Sequence, residues 1–128
     1  MNQSQAKKPG RYRDLIVWQK SMVLAKLIDR VTQGFPSEEK FGLTSQMRRA
    51  AVSIPSNIAE GQARRGTREF IQFIAQAEGS LAELETQLTL AIDLGHVEAT
   101  PTEKAVALIE ELRRMLNALR RKLETPCS

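Results

Sequence analysis

Two stretches in the second half of the chain carry apolar residues at alternating steps of four and three. Phe70, Ile74, Ala77, Leu81, Leu84, Leu88 and Ala91 form one series. Ala105, Ile109, Leu112, Leu116, Leu119 and Leu123 form the other. On an α-helix this spacing gathers every apolar group along one seam, whereas on a strand it would scatter them over both faces. Two such seams need other helices to cover them.

The first half supplies the cover. Leu15, Trp18, Met22 and Ala25 follow helical spacing, and so do Val17, Leu24, Ile28 and Val31. Together they are wider than one stripe, so this helix is expected to be buried on two sides. Asp14 is its expected N-cap, and the helix is expected to end before Gly34. Phe35-Pro36-Ser37 breaks the chain, and Ser37 to Lys40 reads as a short helical turn. A second helix is expected over roughly 43–65. After the link Arg65-Gly66-Thr67, a third runs from about Thr67 as N-cap to Leu94, with Gly95 as its stop. Thr100-Pro101-Thr102-Glu103 offers a capping threonine, a proline at the first helical position and a glutamate at the third, so the fourth helix starts there. Gly79-Ser80 midway along the third helix would let another helix come close.

Similar helix lengths and short links predict an all-α, antiparallel up-and-down four-helix bundle with a kinked second helix. The 128 residues suit one domain, and aromatics at 5% leave an aliphatic core. Residues 1–12 read as a flexible basic tail, 13–124 as the bundle and 125–128 as a C-terminal tail. No apolar run reaches the ~20 residues that span a bilayer, so no membrane association is expected and a cytoplasmic location is. The single Cys127 has no disulfide partner and no neighbours spaced as metal ligands.

The second helix carries the least ordinary stretch, QMRRAAVSIPSNIAEGQARRG, from Gln46 to Gly66. Leu43, Met47, Ala51, Ile54 and Ile58 share one face at ~100° per residue, and this register passes Pro55 unbroken. A continuous helix kinked near Ala51 to Pro55 therefore fits better than a new start at the proline. Arg49, Ser53, Asn57, Glu60 and Arg64 form a second, polar face. Arg49, Asn57 and Glu60 are placed to satisfy one another or backbone groups freed by the proline. Arg48, Val52, Pro55, Ala59 and Ala63 form a third face, unusually small and apolar for a surface. Val52, Pro55, Ala59 and Ala63 are therefore expected at an oligomer interface.

Net charge is +4, unevenly spread. Residues 1–65 hold 12 Lys/Arg against 5 Asp/Glu, and residues 66–128 hold 7 against 10. A basic half suits an anionic partner. The candidate phosphate contacts are Arg48, Arg64, Arg65, Arg68, Arg113 and Arg114, with Lys7, Lys8, Arg11 and Arg13 in the tail. No interleaved aromatic set is present for base stacking, so binding would follow backbone and shape. The sequence contains no glycine-rich phosphate loop, zinc spacing or catalytic triad, and no Glu-x-x-His pairs for a di-iron bundle. Neither an enzymatic activity, a metal nor a cofactor is expected. His96 is read as a surface-loop residue.

At these residues the chain resembles a known family. QMRRAAVSIPSNIAEG and REFIQFIAQAEGSLAELETQLTLAIDLGHV are similar to the four-helix-bundle proteins encoded in intervening sequences of bacterial 23S rRNA genes, also labelled S23 ribosomal proteins. YRDLIVWQKSMVLA and FPSEEKFGLTSQ fit the same pattern, and the likeness covers about residues 12–123. The resemblance implies a homo-oligomeric ring, typically a homopentamer, and an association with rRNA. The family is in turn similar to the accessory variability proteins of diversity-generating retroelements, basic pentameric barrels that bind nucleic acid and a reverse transcriptase. The expected function is a ring that binds structured RNA or a ribonucleoprotein through basic surfaces. The alternative is an adaptor for a nucleic-acid enzyme, without RNA affinity of its own.

Overall fold

A computed structural model describes residues 11–125. Four helices carry the fold: α1 (Ile16–Gln33), α2 (Leu43–Ala63), α3 (Thr67–Asp93) and α4 (Glu103–Glu124). Short 3-10 turns at Tyr12–Asp14, Ser37–Glu39 and Thr100–Thr102 precede α1, α2 and α4. Among the described residues there is no strand. Lys7, Lys8 and Cys127 lie outside them.

Both seams are buried as their spacing predicts. Ile74, Ala77, Leu81, Leu84, Leu88 and Ala91 of α3 pack with Ala105, Ile109, Leu112 and Leu116 of α4. Phe70, Leu119 and Leu123, at the ends of the seams, are only partly covered. Leu24 and Ile28 of α1, and Met47, Ile54 and Ile58 of α2, complete the core. Each large aliphatic side chain buried this way contributes about 1.5–3 kcal/mol.

Antiparallel order shows in the contacts between helices. Ser53 meets Ser80 and Gly61 lies beside Phe70 and Phe73, so α2 descends as α3 rises. Arg48 of α2 reaches Asp29 and Thr32 near the end of α1. Arg120 of α4 pairs with Glu78 of α3 at 2.6 Å, and Lys20 of α1 with Glu111 of α4 at 3.0 Å.

The helix ends differ from expectation. Asp14 does not cap α1. It belongs to the 3-10 turn, and extended Leu15 separates that turn from the helix. The Tyr12 ring meets Trp18 edge-on at 5.2 Å, which anchors the turn to the first turn of α1. The expected tail boundary at residue 12 thus falls inside a packed turn. At the other end of the hairpin, α2 stops at Ala63 because Arg64 is extended. Gly66, not Thr67, is the N-cap of α3, and Thr100 lies in a 3-10 turn ahead of α4. Neither threonine side chain caps a helix.

The end of α3 follows the sequence signal. Gly95 has φ +78, a conformation that suits glycine. The His96 N–H donates to the Ala91 carbonyl at 2.9 Å and the Gly95 N–H to Ile92 at 3.0 Å. This is the Schellman arrangement, which satisfies carbonyls that the helix end would leave free. The same loop brings His96 back to the start of α2, where its Nε2–H donates to Glu39 at 3.1 Å. The other Glu39 oxygen accepts the Leu43 N–H at 3.0 Å and caps α2. His96 also stacks, tilted, on Phe35. It is thus half-buried and structural rather than a free surface-loop residue.

Candidate nucleic-acid interface and the adjoining groove

The second helix separates into the three expected faces, with different outcomes. Its core face is buried throughout, and Ala50 and Gly61 extend it toward α3. Pro55 lies inside α2, and the helix continues through it. At Gly61 the helices come very close. A Cβ there would lie 2.7 Å from Phe73 Cβ and 2.9 Å from Phe70 Cδ1. The close approach anticipated at Gly79 is absent, because nothing lies within 4 Å of a Cβ built there.

The polar face holds α2 against α3. The Ser53 and Ser80 hydroxyls are 2.7 Å apart, and Asn57 Nδ2 donates to Ser53 Oγ at 3.0 Å and to its carbonyl at 2.8 Å. Arg49 and Glu60 do not join this network. Glu60 pairs one turn on with Arg64 at 3.3 Å. Arg49 makes no hydrogen bond or ion pair among the described residues; it borders a recess with Gln46, Ser53, Ser80 and Glu83. The mutual pairing of Arg49, Asn57 and Glu60 therefore fails. Residues four apart on a helix bond more readily than the ends of a three-turn stripe.

The third face opens onto a groove of 610 Å³. Val52, Pro55 and Ala59 form one wall, and Trp18, Met22 and Ala25 of α1 form the other. The second apolar side of α1 therefore lines this groove rather than a second core. Val52 is 55% exposed, whereas Pro55 is buried within the chain. Ala63 stands apart from the groove. It borders a recess of 300 Å³ with Arg11, Tyr12, Arg13 and Gln62.

That recess marks the basic end of the molecule. It brings Arg11 and Arg13, ahead of α1, to the end of α2, directly before Arg64 and Arg65. Arg68 lies in the first turn of α3. Arg64 is partly neutralised by Glu60 and lies 5.0 Å over the Phe73 ring. Arg11, Arg13, Arg65 and Arg68 are exposed and have no ion pair among the described residues. Antiparallel order points the last turn of α4, with Arg121 and Lys122, toward the same end. Arg11 and Arg13, expected as phosphate contacts of the tail, stand at this end; sequence spacing does not single out Arg121 and Lys122, because their approach depends on the helix order.

The family described as 23S rRNA-intervening sequence protein matches residues 13–118. The chain belongs to this family. No curated protein matches it.

In this 23S rRNA-intervening sequence family member the other candidate cations are committed internally. Arg48 donates through Nε to Thr32 Oγ1 at 2.8 Å and lies 3.4 Å from Asp29. Arg113 and Arg114 share Glu110, whose carboxyl is held below the usual carboxylate range chiefly by the Arg113 hydrogen bond. Glu78 and Glu124 flank Arg120 and hold its guanidinium above its ordinary value. The candidate phosphate contacts thus do not form one surface: Arg64, Arg65 and Arg68 lie together, while Arg48 and the Arg113–Arg114 pair lie elsewhere. Among the described residues no group of three His, Cys, Asp or Glu is placed to hold a metal, and no helix is long and apolar enough to cross a membrane.

Proposed function

We propose that this chain is a non-enzymatic, homo-oligomeric RNA-binding protein whose basic end contacts the phosphate backbone of structured RNA. The observation that carries the reading is the convergence of Arg11, Arg13, Arg65 and Arg68, exposed and without ion pairs among the described residues, at one end of the bundle. Exposed arginines attract phosphate through charge and release condensed counterions, so this binding weakens steeply as salt rises. The name of the matched family supports rRNA as the class of RNA.

The α1–α2 groove supports self-assembly. Trp18, Met22, Val52 and Ala59 form an apolar strip that a single chain leaves partly open, and a second copy would cover it. Assembly as a ring, five subunits by resemblance, repeats the basic end once per subunit and multiplies a modest charge into a band. Titrating the purified protein with structured RNA and with duplex DNA at two salt concentrations tests the binding. RNA affinity that falls strongly with salt is expected. No binding to either nucleic acid at low salt overturns the reading and favours an adaptor that contacts only a protein.

A further inference from the structure

We infer that the recess between α2 and α3 takes one guanine base from the loop of a bound RNA, read along its edge by Arg49 and Glu83. This rests on the reading that the chain binds RNA, and adds to it a contact with a base. Arg49 and Glu83 line one recess of 330 Å³ with Gln46, Ala50, Ser53 and Ser80. Both side chains are exposed, and neither has an ion pair among the described residues. Glu83 accepts the Gln87 amide at 3.2 Å, and Arg49 has no hydrogen-bond partner among the described residues. The recess thus holds a free cation and a carboxylate that do not satisfy each other.

Gln87 is a second, independent observation at the same place. Counted in antiparallel register from the Ser53–Ser80 contact, Glu83 lies level with Ala50 and Gln87 with Gln46. Gln87 is 7% exposed. Its Nε2–H fixes the Glu83 carboxylate, and its Oε1 is buried with no hydrogen-bond partner among the described residues. A buried acceptor left in that state costs about 1–3 kcal/mol. The Glu83 end of the recess is therefore short of donors, while Arg49 has donors to spare.

Guanine carries the matching polarity. Its N1–H and 2-amino group donate toward a carboxylate, and its neighbouring O6 and N7 accept the fork of a guanidinium. Adenine has a donor where guanine has O6, and the pyrimidines lack N7. A phosphate is a poor occupant, because Glu83 repels it and the Ser53 and Ser80 hydroxyls already hold each other. An apolar cavity of about 150 Å³ is enough for benzene, so 330 Å³ has room for a purine. A free base would bind so exposed a site weakly, but a base on a strand already held at the basic end arrives at high effective concentration. Arg49 stands about 20 Å along α2 from Ala63 at that end. Unstacked bases in loops are the part of an RNA that proteins read by such edge contacts.

Fluorescence anisotropy at two salt concentrations tests this on the full chain. The probes are RNA hairpins with one common stem and a uridine loop holding a single guanosine, adenosine or inosine. The parent should prefer guanosine to adenosine about tenfold, with inosine, which lacks the 2-amino group, in between. Arg49→Lys keeps the charge without the fork, and Glu83→Gln keeps the shape with one acceptor instead of two. Each should shrink the preference to about twofold or less, with salt dependence and thermal melts as in the parent. Reversing Arg65 and Arg68 should do the opposite, weakening every hairpin while the preference stays. Equal affinity of the parent for all three hairpins, or variants that keep its preference, overturns the base site and leaves the phosphate surface standing. No binding of any hairpin at low salt overturns both.

Discussion

The hydroxyls of Ser53 and Ser80 meet at 2.7 Å between α2 and α3. Asn57 completes the arrangement from one turn further along α2. These groups flank Pro55, which has no N–H to offer the Ala51 carbonyl. The polar face of α2, expected to satisfy its own groups or backbone freed by the proline, here serves as an interhelical clasp.

Breaking that clasp should be measurable. Ser53→Ala and Ser80→Ala are each expected to lower stability by about 1 kcal/mol, since each leaves a half-buried hydroxyl short of a partner. In a double-mutant cycle followed by urea unfolding, the two should couple by roughly 0.5–1.5 kcal/mol. Simple additivity would show that the hydroxyls do not interact in solution.

Gly61→Ala should destabilise by about 1–3 kcal/mol. The added methyl would meet Phe73 Cβ at 2.7 Å, and an atom so close to the backbone cannot swing aside. Gly79→Ala is the control. It meets nothing within 4 Å and should be neutral or stabilising, because alanine favours helix by up to about 1 kcal/mol. The urea midpoint should fall for Gly61→Ala and hold or rise for Gly79→Ala.

Glu39 links stability to pH. The Leu43 N–H, and after it the His96 bond, hold the Glu39 carboxyl below its ordinary value of 4.5. A carboxyl depressed in the folded state stabilises the fold fully above its unfolded value and loses that contribution as pH falls through the folded one. Glu39→Gln should therefore be less stable than the parent at pH 7. The gap between them should close as pH drops below about 4.5. Thermal melts from pH 7 to pH 3 check this, and a constant gap would contradict it.

Val52→Asp should leave the fold intact, since the side chain is 55% exposed. It should lower the mass measured by light scattering if the groove holds a neighbour, because a carboxylate would be desolvated there. An unaltered mass would place the interface elsewhere.

Charge reversal at Arg65 and Arg68 should weaken RNA binding and flatten its salt dependence, by about one unit of slope for each phosphate no longer neutralised. Reversal at Arg113 and Arg114 should do much less, because Glu110 already engages both. Equal weakening by the two pairs would mean that the basic end is not the RNA-binding surface.

The helices were legible from the sequence for a simple reason. The apolar series from Phe70 to Ala91 and from Ala105 to Leu123 are periodic within one segment, and period alone dictates which side is buried. The same logic carried the register of α2 across Pro55 and read Gly95 as a stop. It erred at Asp14 and Thr100, which lie in 3-10 turns instead of capping a helix, and at Thr67, where extended Gly66 takes the cap position.

The candidate site was less legible because its parts are distant in sequence. Ser53 finds Ser80, Glu39 finds His96, and Trp18 faces Ala59 across the groove only after the helices pack. The basic end is assembled the same way, from Arg11 and Arg13 before α1 and from Arg65 and Arg68 between α2 and α3. Local sequence determined which faces are apolar and where most helices run, since those follow from spacing along one backbone. Tertiary structure decided which cations remain exposed and which apolar strip stays open, because pairing and covering depend on which helix lies alongside.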